Sequence, residues 1–468
     1  MKPFDLIIGA ALGVGLAACA SVETQDDLAN VADTAPAKLV EDSGLDIVVH
    51  EGDFAEIQQF TTPGGVSVWL VSEPSIPILS VVMAWEGGEA ADPEGLEGLA
   101  DAVVYHMNEG AGDLDSLAFQ TRMEELNMSF GCSASSDWTS CSASMLTDNA
   151  DEAMSLVAQA FEAPRFDAGP FARFQREREV SLNTRETNAR YLAGRAEAQA
   201  IYPDHPYARE TSAESIAALT PELAKAHMRK LMVKDSLIVT AVGAITPEEL
   251  APMLDAIAES LPESNDLPET PEITFTVDGA FEPVLIDLPQ PQSLVRFLAP
   301  GLKREDPDFF TAYVVNYTYG GGGFGSRLME SLRVQKGLTY GVYTWLSFDD
   351  TYQNWGGSGQ TKNESVGEFV EALLAETALI AEEGITAEEL ADAKAYLTGS
   401  YPLAFDSNAK IAGQMMSVRQ DELGVDYFDR RNALIEAVTL EDANRVAAEF
   451  LQPDRFSFIM VGQPEGLD

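Results

Sequence analysis

The side chains that could do chemistry in this sequence are few, and those a metal would need stand apart. The chain holds four histidines, His50, His106, His205 and His227, and no two of them lie within five residues of each other. Two imidazoles gripping one ion from a single helix face need a spacing of three or four residues. His106-Met-Asn-Glu109 offers half of such an arrangement, but Gly110 follows it and a second histidine does not. No Ser/His/Asp or Cys/His arrangement can be drawn from the spacing either. Gly320-Gly-Gly-Gly-Phe-Gly325 formally satisfies G-x-G-x-x-G, with Asp349 or Asp350 as the ribose acid of a dinucleotide site. The apolar pattern Leu338–Leu346 follows too soon for the crossover such a site requires. Arg333 and Tyr340 stand seven apart, linking the end of an amphipathic stretch, Ser326–Val334, to that strand. A guanidinium and a phenol can both donate to a peptide carbonyl and stabilise a developing oxyanion. The plainer alternative is a surface ion pair for Arg333 and sheet packing for Tyr340.

The elements that must position these groups are legible from periodicity. Val66–Val71 and Ile78–Trp85 are apolar runs of strand length, followed by a polar turn, Glu86–Glu97. Gly98–Gly110 then places Leu99, Ala102, Val103 and His106/Met107 at helical spacing. Thr246-Pro-Glu-Glu249 and Thr386-Ala-Glu-Glu389 read as capping boxes opening Glu-rich helices. The chain also echoes itself. Ile216-Ala-Ala-Leu-Thr-Pro-Glu-Leu-Ala224 aligns without gaps on Ile435-Glu-Ala-Val-Thr-Leu-Glu-Asp-Ala443, and at the same offset Gly243 meets Gly462. Each copy reads as a Thr-capped helix followed by a buried strand, Leu237–Gly243 or Phe456–Gly462. Three prolines in Leu261–Pro271 separate the halves. The expected fold is α+β: two homologous domains, each a mostly antiparallel sheet with helices packed on it.

Composition bounds the partners. Acidic residues outnumber basic ones 76 to 29, a net charge of −47. That argues against nucleic acid, whose phosphates need Lys and Arg, and disfavours adsorption to anionic lipid. An acidic cleft could attract cationic peptides; a solvated surface suited to salt gives the same count. Lys2, an uncharged run Leu6–Leu16 and Leu16-Ala-Ala-Cys19 read as a secretory signal too short to span a bilayer. Leu-Ala-Ala-Cys resembles the bacterial lipobox, which implies cleavage before Cys19 and acylation of its thiol. Ala20–Leu45 is acidic and aperiodic, as a flexible tether would be. In the mature chain Cys132 and Cys141 flank a polar turn at Ser136-Asp137 symmetrically, so they could bond across a hairpin or remain as two buried thiols.

Four motifs in order resemble the pitrilysin and mitochondrial processing peptidase superfamily of insulinase-type zinc metallopeptidases. Gly98-Leu-Ala precedes the place of its H-x-x-E-H motif, and Tyr202-Pro-Asp-His-Pro-Tyr207 matches its Pro-flanked turn. Phe324-Gly-Ser-Arg-Leu328 and Leu332-Arg-Val-Gln-Lys-Gly-Leu-Thr-Tyr340 match its second-half signature, while Phe60–Val71 with Pro77–Gly88 looks like its opening hairpin. The resemblance covers residues 46–468 and implies two domains closing like a clamshell around a peptide chamber. It also exposes the departure. Where active members carry two zinc-binding His and a Glu that polarises the water, this chain has Asp101, Tyr105 and Val104. The family's third ligand would fall near Leu182–Asn183, flanked by Glu179 and Glu186.

The resemblance assigns Arg333 and Tyr340 to substrate contact, and likens Gly320, Gly321, Gly322, Gly323 and Phe324 to a glycine-rich substrate loop of the non-catalytic processing-peptidase subunit. The implied layout is a lipoprotein signal over 1–19, a tether over 20–45, a peptidase-like domain over 46–260 without its zinc motif, a linker over 261–271, and a second such domain over 272–468. The implied protein is a non-catalytic, substrate-contacting subunit of a heterodimeric periplasmic zinc peptidase. It would carry no metal or cofactor itself, the zinc residing in an active partner of the same superfamily. It would be anchored by lipid to the outer membrane of a Gram-negative bacterium, facing the periplasm. The rival is a partner-free peptide-binding or scaffold lipoprotein.

Overall fold

The computed structural model describes residues 37–40, 44–52, 54–273, 282–348 and 352–467. The signal segment with Cys19 lies outside the described residues. In the first half the strands are β1 (Ala37–Val40), β2 (Ile47–Glu51), β3 (Glu56–Thr61), β4 (Ser67–Ser72), β5 (Ile78–Glu86), β6 (Ser129–Ala134), β7 (Trp138–Leu146) and β8 (Ile238–Gly243). The second half contributes β9 (Val284–Asp287), β10 (Gln292–Pro300), β11 (Thr339–Phe348), β12 (Gln353–Lys362) and β13 (Ser457–Gly462). They form two sheets, ordered β1-β2-β3-β4-β8-β5-β7-β6 and β11-β12-β10-β13-β9. Without β1–β3 the two orders are the same. Pairing is antiparallel except for β4 with β8 and β9 with β13. These are the expected homologous α+β domains of a clamshell.

The internal repeat is carried into the tertiary structure. The helices Pro221–Leu231 and Leu440–Phe450 open on Thr220 and Thr439, whose hydroxyls accept from Leu223 N–H at 3.2 Å and Asp442 N–H at 3.1 Å. Each leads into a central strand. All but the first residue of β8 are buried, as is every residue of β13. Continuous apolar runs are what a strand covered on both faces requires.

The cover on the second face comes from the other half. The helix Asn408–Gln420 lies on the first sheet, where Ala412, Met415 and Val418 pack with Ile57, Val71 and Val242. Its counterpart 219 residues earlier, Ala189–Ile201, lies on the second sheet, with Leu192 and Ala193 against Leu294, Leu298, Ile459 and Val461. Both crossings are pinned by polar groups. Thr240 Oγ1 donates to Ala412 O at 2.8 Å, and Arg419 Nη1 donates to Val239 O at 2.7 Å. On the other side Glu197, 4% exposed, is ion-paired with Arg296.

Three expectations are corrected. Ala37–Val40, assigned to the tether, is an edge strand paired antiparallel with β2; an open sheet edge offers main-chain partners irrespective of composition. The two opening runs are not a hairpin, because β8 lies between them, parallel to β4 and antiparallel to β5. The Ser326–Val334 helix opens into wide i→i+5 turns over Met329–Gln335. No helix among the described residues is long and apolar enough to cross a membrane.

Candidate functional site

The helix Leu99–His106 carries the positions of the missing zinc motif. Its chain enters through Gly98 at φ +97°, where a side chain would also press on Ile216 and Thr211. The amides that start it donate to one carboxylate. Asp92 accepts from Gly98, Leu99 and Ala100 N–H at 2.8, 2.9 and 2.8 Å, while only 3% exposed. Its Oδ1 also faces His227 Nε2 at 3.2 Å. A negative charge at a helix start satisfies orphan donors and the dipole together. The sequence reading missed Asp92, since it lies outside the usual capping offset and no local pattern signals it.

The motif positions are occupied by other chemistry. Asp101 is clasped by Arg178, whose Nη2 donates to Oδ1 at 2.8 Å and whose Nε reaches Oδ2. Tyr105 Oη accepts from Arg173 Nε at 3.0 Å, and the same guanidinium pairs with Glu109 at 2.6 Å. Val104, where the catalytic Glu would stand, is buried. The hydrogen bonds that Arg178 donates to Asp101 raise the Arg178 pKa above its ordinary value, and burial raises that of the Tyr105 phenol. Both arginines project from Ala168–Arg185, the helix expected to bring the third ligand. Leu182, at that ligand's place, packs against the core. Glu186, the acid one turn beyond, is paired with Arg195 at 3.1 Å. A zinc site needs three deprotonated donors converging on one point, and guanidinium groups face this one instead. No group of three metal-capable side chains occurs among the described residues. The residues present do not fit zinc.

His106 offers no substitute. It is fully buried, with ring centroids 5.3 and 5.0 Å from those of Phe166 and Phe171. Nδ1 donates to Ala102 O at 2.6 Å, and Nε2 has no hydrogen-bond partner among the described residues. Burial lowers its pKa, so the ring is held neutral. His205 is structural: Nε2 donates to Pro271 O at 2.8 Å, tying the Pro-flanked turn to the linker, while Nδ1 accepts from Tyr207 N–H at 3.2 Å.

In the second half Tyr340 lies on the surface and Arg333 is half-buried. Tyr340 is 84% exposed, and the β11–β12 register shifts between Thr339 and Val342. A bulge of this kind re-aims a side chain. Arg333 lies on the underwound helix and sets its guanidinium over the Phe324 ring, 4.4 Å from the centroid, with Phe324 itself 70% exposed. Neither plain alternative holds: among the described residues Arg333 has no ion pair, and Tyr340 does not pack into the sheet. No hydrogen bond, ion pair or ring contact among the described residues joins this patch to Leu99–His106. The glycines behind Phe324 have packing reasons. A Cβ on Gly320 would stand 2.6 Å from Thr344 Oγ1, and one on Gly322 would stand 2.6 Å from Tyr317 O. Gly321 lies as close to Asn316, and Gly323 needs its φ of +61°. The run is a tight corner that presents Phe324 outward.

Cys132 and Cys141 face each other in the β6–β7 register, and their sulfurs are bonded.

Residues 67–213 match the insulinase (peptidase family M16) family and residues 218–397 the peptidase M16 inactive domain. A "non-peptidase homolog YmxG" of Helicobacter pylori is 28% identical over 331 residues, covering 70% of this chain and 76% of that protein. The mitochondrial-processing peptidase subunit beta of Blastocladiella emersonii is 21% identical over 428 residues, 86% of this chain and 88% of its own. Among solved structures, a peptidase M16 inactive domain from Pseudomonas fluorescens superposes with a TM-score of 0.80 at 26% identity, covering 88% of this chain and 98% of that one. The periplasmic protease PqqL from Escherichia coli gives 0.75 at 17% identity, covering 98% of this chain and 49% of that one. Two M16 matches in tandem, the duplicated fold and a motif helix whose ligand positions are held by arginines from the neighbouring helix have one common account: the chain belongs to the M16 peptidase family, as a non-catalytic member.

Proposed function

We propose that this chain is the substrate-contacting subunit of a heterodimeric zinc peptidase, lending groups to an active partner of the same family that supplies the zinc. The observation that carries this reading is the contrast between its two halves. The zinc-motif helix is sealed by arginines, while among the described residues Arg333 has no ion pair and lies over exposed Phe324, and Tyr340 is exposed. A chain with no shared active site has no evident chemical need to leave a guanidinium and a phenol free. Together they can donate to the carbonyl of a bound peptide and to the oxyanion it becomes.

Reconstitution with a partner bearing H-x-x-E-H tests this directly. Arg333→Ala and Tyr340→Phe leave the fold and the complex intact, and each lowers turnover by roughly 10–1000-fold, the upper end being the effect of removing one oxyanion donor. Equal turnover at full complex occupancy would move the assignment to a partner-free scaffold. The site of action we infer is the periplasmic face of the outer membrane, through acylated Cys19. Labelled palmitate should enter the wild-type chain and not Cys19→Ala.

A further inference from the structure

Beside the sealed motif helix lies a cleft of about 400 Å³, with Asp101 and Leu182 in its wall and five arginines around it: Arg178, Arg185, Arg190, Arg195 and Arg209. In a chain with 29 basic residues and a net charge of −47, such a concentration of guanidinium groups runs against the global balance. Two of the five are neutralised. Arg178 is held by Asp101, and Arg195 by Glu186 at 3.1 Å and Glu210 at 3.7 Å. Arg209 spends its donors on main-chain carbonyls, Asp92 O at 2.6 Å and Ala90 O at 2.8 Å, which leaves its charge in place. Arg185 and Arg190 have no carboxylate within salt-bridge distance among the described residues. Arg185 instead lies over the Tyr191 ring, 5.1 Å from its centroid, which holds the planar fork ready. Tyr191, Tyr202 and Tyr207 give the cleft an aromatic wall.

We propose that this cleft, at the place of the lost zinc site, binds a carboxylate of a peptide, with Arg185 and Arg190 as the recognising groups. Guanidinium forks match a planar carboxylate bidentately, and the tyrosines suit the peptide that carries it. The mixed lining, with Glu89, Asp101 and Glu210 among the arginines, leaves only a small positive excess, enough for a singly charged anion. The proposal rests on the reading of this chain as a peptide-contacting subunit, and it names the substrate class. Peptides with an acidic side chain or a free C-terminus are retained on the non-catalytic half, although the protein as a whole repels them.

The test uses the isolated mature chain and four fluorescein-labelled decapeptides of one sequence: with a glutamate and a free C-terminus, with Glu→Gln, with C-terminal amidation, and with both changes. Anisotropy should show binding that weakens at least 10-fold when the recognised carboxylate is removed, and the two single changes tell side chain from terminus. Arg185→Gln with Arg190→Gln should weaken the best peptide by roughly 10–100-fold, on the scale of lost charge-assisted hydrogen bonds, with an unchanged melting curve. Equal affinity for all four peptides, no binding of any, or no effect of the double substitution would each overturn the proposal. Since no partner is present, such a failure leaves the subunit role to the Arg333 and Tyr340 reconstitution.

Discussion

Arg178 and Asp101 form a two-pronged ion pair, 77 residues apart in sequence, with Nη2 and Oδ1 2.8 Å apart. The pair spans the two helices that a zinc ion would have to bridge. The chain is therefore expected to bind no stoichiometric zinc and to cleave no peptide alone. Restoring the motif by Asp101→His, Val104→Glu and Tyr105→His should not suffice, because Leu182 supplies no third ligand and Arg178 adds a positive charge. Adding Leu182→Glu and Arg178→Ala should create measurable zinc binding. Elemental analysis of the native chain decides the first point: one zinc per chain, lost on chelation together with activity, would sink it.

The β6–β7 hairpin is tied by Cys132 and Cys141. The closed loop is short, so replacing both with serine should cost about 2–3 kcal/mol. Thiol titration of the native protein under denaturing conditions should find neither thiol free. Two free thiols would contradict the bond.

The buried His106 makes stability pH-dependent. Its folded pKa lies below the unfolded value near 6.5, so the unfolded chain binds more protons in the intervening range. The contribution is fully present above about pH 6.5 and is lost as the pH falls toward the folded pKa. The urea midpoint should drop between pH 7.5 and 5.5, and His106→Leu should flatten that drop. A slope unchanged by the substitution would show that other groups set it.

Glu197 and Arg296 join the first half's exchanged helix to the second sheet, and the carboxylate side chain is only 5% exposed. Truncating Glu197 to Ala leaves a partly buried guanidinium unpaired, at a cost of about 3 kcal/mol. Adding Arg296→Met should recover most of that loss. Denaturant midpoints for the two single variants and the double variant measure it. A double variant no more stable than Glu197→Ala would assign the loss to packing instead.

What the sequence determined by itself is local and periodic. The threonine caps, the buried runs of β8 and β13, and the repeat that superposes Pro221–Leu231 on Leu440–Phe450 follow from side-chain type and spacing along one segment. The absence of a zinc motif is equally local, since Asp101, Val104 and Tyr105 are what they are whatever surrounds them. Tertiary structure alone decided which segments meet. Periodicity says that a helix has an apolar face, not which sheet covers it, so the exchange of Ala189–Ile201 and Asn408–Gln420 between halves was not legible. Nor was β8 between β4 and β5, because main-chain hydrogen bonding is indifferent to sequence and the pairing is set by global packing. The same holds for Arg178 on Asp101, for Asp92 at the helix start, and for the arginines gathered around one cleft. Each joins charges from separate elements, and an isolated charge in a sequence looks like solvated surface until the fold removes its water.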